Sequence, residues 1–279
     1  MDSGVVIGII GGFGGMGRLF SGVFEAAGYS VTCSGRNTPV SNEEIALTCD
    51  IVIVSVPIHD TVRVIGEIAP LLNDEQLLCD FTSLKTEPVR AMLKSKAKVI
   101  GLHPMFGPSV SGISGQTIVA SPARCDERTQ EVLYNIFRKQ GADVCIMTPE
   151  KHDKVMSIVQ GLVHFSTLCV AETIKKTGIS PDELLPVMSP VYRIETGLIG
   201  RILGQDPALY ADILQQNPQS EDVMEKFLES AEKLQEIVKS KDIDRFTVFF
   251  SENRKVFENV IPQATKDTDL LIDTLAGRR

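Results

Sequence analysis

The stretch Val5-Val6-Ile7-Gly8-Ile9-Ile10-Gly11-Gly12-Phe13-Gly14-Gly15-Met16-Gly17 constrains this chain more than any other. It opens as an apolar run, and six glycines sit in and after that run. Residues 18–28, Arg18 to Gly28, then read as a helix closed by a glycine. Strand, tight turn and helix are the setting in which G-x-G-x-x-G binds a dinucleotide. Gly12, Gly14 and Gly17 match that fingerprint. In this reading Gly12 permits the turn out of the strand, Gly14 lets a pyrophosphate approach the backbone, and Gly17 lets the helix lie on the strand. Unpaired amides and the dipole at the helix N-terminus would hold the phosphates.

The next strand covers Tyr29-Ser30-Val31-Thr32-Cys33. An NAD site places Asp or Glu about 20 residues on, bonded to the ribose hydroxyls. Twenty residues after Gly14 stands Ser34, followed by Gly35 and Arg36. The guanidinium suits a 2′-phosphate, so the expected cofactor is NADP, with NAD the alternative. A charge-assisted contact contributes about 1.5–3 kcal/mol, a preference of roughly ten- to a hundredfold. Phe13 and Met16 in the loop and Pro57 after the third strand complete the candidate cofactor-binding set.

Buried strands recur at 50–57, 77–80, 99–101, 116–120 and 143–147, with helices expected at 58–72, 86–95 and 126–140. Apolar β-branched runs alternating with helices predict a doubly wound, Rossmann-type parallel sheet covered on both faces. Ligands in such sheets lie beyond the carboxyl ends of the strands. There, Gly101-Leu102-His103-Pro104 confines His103, which can take a proton from a substrate hydroxyl while hydride leaves the same carbon. Ser83, on the preceding loop, could donate to the same oxygen.

After Pro149 the strand patterns stop. We expect a dinucleotide-binding domain over 1–150 and an all-α domain over 151–279 for substrate binding and dimerisation. A long helix from Lys151 to about Lys176 places Gln160 and His164 on one face. Further on, Ile194, Leu198 and Ile202 form an apolar stripe, with Arg193 and Arg201 beside it. Such an arginine serves an internal carboxylate, here Glu195 or Asp206, or an anionic ligand. Phe246, Phe250, Phe257 and Val260 keep helical spacing and read as core or subunit interface, so a homodimer built from the helical tail is expected.

A net charge of −8 argues against a nucleic-acid surface. No uninterrupted apolar run has the length of a membrane span, and no membrane partner is expected. The six cysteines are spread out with no C-x-x-C pair, which points to reduced thiols, no metal site and a cytoplasmic protein.

Taken together, residues 11–20, 52–59, 101–108, 152–153, 160–165 and 192–213 resemble the prephenate dehydrogenase family in family order. The resemblance implies oxidative decarboxylation of prephenate to 4-hydroxyphenylpyruvate in tyrosine biosynthesis. It also implies that His103 deprotonates the ring hydroxyl, that Ser83 orients His103 or the nicotinamide, and that Arg201 binds a substrate carboxylate. His164 and Tyr210 would lie near the substrate. Ser109 stands where some members carry an acid six residues after the catalytic histidine. With no chorismate-mutase-like stretch and no added regulatory domain, the stand-alone form is expected. Arogenate is the alternative substrate. The rival readings are another β-hydroxyacid dehydrogenase or imine reductase of this architecture, and a nucleotide-sensing module without catalysis.

Overall fold

The structure is a computed structural model describing residues 4–277. The chain packs as two units: one runs to Ser157 and takes in Ala211–Pro218, the other comprises Ile158–Tyr210 and the residues from Gln219 on.

The first unit contains β1 Val6–Ile10, α1 Gly15–Ala26, β2 Ser30–Ser34, α2 Asn42–Thr48, β3 Ile51–Val54, α3 Ile58–Ile68 and β4 Leu77–Asp80. It continues with α4 Thr86–Met92, β5 Lys98–Pro104, β6 Thr117–Arg124, α5 Glu127–Arg138, β7 Asp143–Ile146 and α6 Pro149–Met156. The strands form one sheet in the order β2-β1-β3-β4-β5-β6-β7. Side chains alternate across it. Ile7, Ile9, Ile53, Cys79, Ile100 and Leu102 face Phe20, Phe24, Tyr134 and Phe137 of α1 and α5. Ile10, Val52, Val54, Leu78 and Val99 face Ile45, Ile65, Ile68 and Met92 of α2, α3 and α4. Each such side chain contributes about 1.5–3 kcal/mol by leaving water.

One expectation is corrected. The sheet is not wholly parallel, because β6 runs antiparallel to β5, with His103 opposite Val119. Residues 105–116 join these strands without a helix, and a parallel return needs a helical crossover. β6 and β7, which do have α5 between them, are parallel.

Thr148 caps α6 by accepting from the Lys151 amide, and Pro149 occupies the first turn, where its missing N–H costs nothing. This start buries His152 and Asp153 in the first unit. Asn217 joins the same unit by donating to the Asp153 carbonyl at 2.8 Å. These contacts tie the start of α6 and the segment Ala211–Pro218 to the first unit.

The second unit is helical: a π turn at Ser157–Leu162, then α7 Val163–Thr177, α8 Pro181–Leu184 and α9 Pro190–Leu203. It also has α10 Pro207–Gln216, whose later turns belong to the first unit, then α11 Ser220–Ser240, α12 Ile243–Phe257 and α13 Ile261–Ala276. α12 and α13 bury none of their described residues. The continuous helical stretch Pro149–Thr177 has the length and apolarity of a membrane span, with mean hydropathy 1.4 in its richest window. Ser157, Gln160, His164, Ser166 and Thr167 interrupt it, so the sequence shows no unbroken apolar run there.

Candidate active site

Chain order reverses across β1: β2 lies on one side, β3 on the other. Ligands of doubly wound sheets bind at such a switch point, beyond the carboxyl ends of the strands. A groove of about 490 Å³ opens there, lined by Gly11, Phe13, Gly14, Arg36, Pro57, Asp60 and Arg63 among others. Gly11 makes the turn, with φ +83°, and a Cβ on it would meet the Ser55 carbonyl oxygen at 2.3 Å. The amides of Gly11 and Gly12 both donate to the Ser34 carbonyl, at 2.9 and 3.1 Å. Gly14 is the N-cap of α1 and has no bulk near it except the Gly11 carbonyl. α1 carries no acid in its first turn, so its amide end is open to an anion.

These positions refine the fingerprint. The turn falls to Gly11, not Gly12. Gly12 is buried, and a Cβ there would strike Cys33 Sγ at 2.4 Å, so its smallness serves packing on β2. Gly17 packs on the Gly11 carbonyl as expected for the last glycine. Met16 is half-buried against the core and Phe13 is exposed at the groove. Ser34 is buried and its hydroxyl donates to Asn42 Oδ1 at 2.8 Å, so it braces the turn and does not face the groove. Arg36 does line it, with its side chain 88% exposed.

At the carboxyl end of β5, His103 is buried within the strand, not in the loop after it. Its Nδ1 lies 2.8 Å from His152 Nε2, and His152 Nδ1 lies 2.8 Å from Asp153 Oδ1. Asp153 also accepts from the Lys85 amide at 2.8 Å and the Thr86 amide at 2.9 Å. Burial raises the Asp153 carboxyl, but the hydrogen bonds from His152, Thr86 and Lys85 outweigh it and hold the group below its ordinary range. An ionised Asp153 only accepts, so His152 Nδ1 carries the proton and its Nε2 accepts. His103 Nδ1 must then donate, which puts the His103 lone pair on Nε2. Burial, aided by the neighbouring His152 and the Lys85 charge, drives His103 well below the ordinary histidine value, so it is neutral near pH 7. Asp153 opposes that shift.

Beneath this relay Lys85 and Asp80 form a fully buried ion pair. A Cβ on Gly101 would meet Lys85 Cδ at 2.9 Å, so the glycine beside His103 makes room for the lysine stem. Ser83 is half-buried on the same β4–α4 loop. In the second unit His164 stacks edge-on against Tyr210, with centroids 5.0 Å apart at 85°. Tyr210 is buried, and burial raises its phenol while the Arg201 charge lowers it. His164 is lowered by burial. Arg201 is exposed and, among the described residues, pairs with neither Glu195 nor Asp206. The apolar stripe beside it is not a buried face: only Ile202 of the three is buried, and Leu198 is 40% exposed.

Sequence reasoning placed Asp80 and Lys85 at a strand end and His152-Asp153 at a helix start without assigning them roles, and it missed Asp60 and Arg63. No periodicity announces a pairing 49 residues from His103.

Two family models match the chain: prephenate dehydrogenase, nucleotide-binding domain, over residues 35–146, and prephenate dehydrogenase, dimerization domain, over residues 148–252. A probable arogenate/prephenate dehydrogenase of Methanocaldococcus jannaschii is 38% identical over 275 residues, covering 92% of this chain and 62% of the relative. The T-protein of Haemophilus influenzae is 34% identical over 265 residues, covering 95% of this chain and 70% of that protein. The chain thus spans less than two thirds of the Methanocaldococcus relative's length. A solved prephenate dehydrogenase from A. aeolicus, in complex with hydroxyphenyl propionate and NAD+, has the same fold. Its TM-score is 0.74 at 20% identity, covering 92% of this chain and 98% of that one. With both family models matched between residues 35 and 252, and more than a third of positions shared with relatives along nearly all its length, this chain belongs to the prephenate dehydrogenase family.

Proposed function

We propose that this chain is an NAD(P)-dependent dehydrogenase that converts prephenate to 4-hydroxyphenylpyruvate and carbon dioxide. The observation that carries the reading is the His103–His152–Asp153 relay, standing at the carboxyl end of the sheet that also carries the glycine turn. A dinucleotide fits the groove: Gly14 leaves the amide end of α1 open, and Arg36 lies on the lining. Gly11, Phe13, Gly14 and Pro57 would hold it, with Arg36 toward a 2′-phosphate, which favours NADP over NAD. When bound, the dinucleotide supplies the acceptor for the hydride leaving the hydroxyl-bearing ring carbon.

His103 Nε2 takes the proton of the ring hydroxyl as the carbon–oxygen double bond begins to form. Its Nδ1–H holds to His152, and the Asp153 carboxylate steadies the positive charge that develops. Loss of carbon dioxide from the opposite ring carbon then leaves the aromatic ring. Ser83 orients His103 or the nicotinamide, Arg201 takes a substrate carboxylate, and His164 with Tyr210 line the substrate. A domain division near residue 150, a cytoplasmic location and a homodimer formed through the helical domain belong to the same reading. The apolar faces of α12 and α13 support the dimer.

The test uses purified protein with prephenate or arogenate and NAD+ or NADP+, following reduced nicotinamide and carbon dioxide release together. Arogenate carries an amine where prephenate has a keto group, and the Methanocaldococcus relative's name includes both substrates. Prephenate turnover with equal yields of the two products is expected. Turnover of arogenate alone would move the assignment to that substrate, and binding of dinucleotide without turnover of either would favour a sensing module.

A further inference from the structure

The acid that an NAD site places after its second strand is absent here, since Ser34 stands at that point. The fold supplies one from elsewhere. Asp60, in the first turn of α3, lines the same groove as Gly35 and Arg36. Its Oδ1 accepts from Arg63 at 2.6 Å, and its Oδ2 lies 4.0 Å from the Arg36 guanidinium. The other terminal nitrogen of Arg63 donates to Glu67 at 2.7 Å. The Arg63 bond holds the Asp60 carboxyl below its ordinary range. One carboxylate therefore sits between two guanidiniums on the groove wall.

A ribose diol offers two hydroxyl donors, which a carboxylate accepts. A 2′-phosphate offers none and carries about two negative charges, which a carboxylate repels and arginines attract. We propose that Asp60 is the selectivity residue of the adenosine end: its carboxylate takes the ribose hydroxyls of NAD+, while Arg36 and Arg63 take a 2′-phosphate. The inference rests on the dinucleotide reading above. It makes the groove a balance between cofactors, where Arg36 alone points only to NADP.

Calorimetric titration of the full chain with NAD+, NADP+, 5′-AMP and adenosine 2′,5′-bisphosphate tests it without turnover. Asp60→Asn keeps shape and removes charge, and it should raise the affinity ratio of NADP+ to NAD+ by roughly ten- to a hundredfold. The two short nucleotides should follow the same trend. Arg63→Gln should lower the ratio, so the two variants move it in opposite directions. A ratio unmoved in Asp60→Asn, or shifted the same way in both variants, would overturn the inference while leaving dinucleotide binding intact. Failure of the unaltered chain to bind either cofactor would overturn the dinucleotide reading and this inference with it.

Discussion

At the scale of single residues, His103 derives its character from its neighbours. Buried in β5, it stays neutral where an exposed histidine would begin to charge, because burial and the nearby His152 and Lys85 disfavour the imidazolium. If His103 is the base proposed above, activity should persist on acidification until the pH falls through its depressed value. The acid limb of kcat/KM is therefore expected below about 6.5, the ordinary histidine value. Asp153→Asn removes the charge that opposes this shift and replaces one of the two acceptor oxygens with an NH2 donor. It should lower kcat by about ten- to a hundredfold and move the acid limb to lower pH, with cofactor affinity retained. An acid limb that stays in place would count against the relay. A different histidine shows the opposite shift: His59, at the start of α3, lies 2.7 Å from Asp212, and that hydrogen bond raises it. A raised histidine stabilises fully below its unfolded value, and the contribution disappears as pH rises through the folded one. Histidine NMR should place the His59 midpoint above 6.5, and Asp212→Asn should return it toward that value.

At the scale of elements, the β1–α1 join depends on where glycine is obligatory. Gly11 adopts φ +83° against the Ser55 carbonyl, and Gly17 lies with its Cα side on the turn itself. Gly22, on an exposed turn of α1, meets nothing within 4 Å. Gly11→Ala should destabilise by about 2 kcal/mol or more, from strain and overlap together. Gly22→Ala should stabilise by about 0.5–1 kcal/mol, because alanine loses less backbone entropy in a helix. Denaturant unfolding measures both, and equal effects would refute the distinction. The β5–β6 hairpin shows the same economy. Without a helix in 105–116 the chain can only turn back, and the antiparallel partner covers the strand that carries His103.

At the scale of the whole molecule, the helical unit leaves apolar surface uncovered. Phe246 and Phe250 stack on α12 with centroids 6.4 Å apart while 43% and 59% exposed, and Leu270 on α13 is 68% exposed. Exposed apolar patches of this kind mark interaction surfaces, and the matched family domain is described as a dimerization domain. If a second copy covers them, Phe250→Asp should weaken association by about 2 kcal/mol or more. Analytical ultracentrifugation would then find monomer at concentrations where the unaltered chain is dimeric. A monomeric unaltered chain would remove that role from α12.

Legible in the chain alone were the strand–turn–helix at the N-terminus, the alternation that builds a sheet with helices on both faces, and the helical second half. These depend on local preference and on periodicities of two and 3.6, which any stretch of sequence displays. The place of His103 near the end of β5 was also legible, from the glycine and proline beside it. The partners of His103 and of Arg36 were not. His152 and Asp153 reach the histidine only because α6 begins where Thr148 caps it, and Asp60 meets Arg36 only because β3 lies next to β1. Contacts between residues far apart in the chain follow from how strands are ordered and helices docked, and that order is decided by burial of the assembled core.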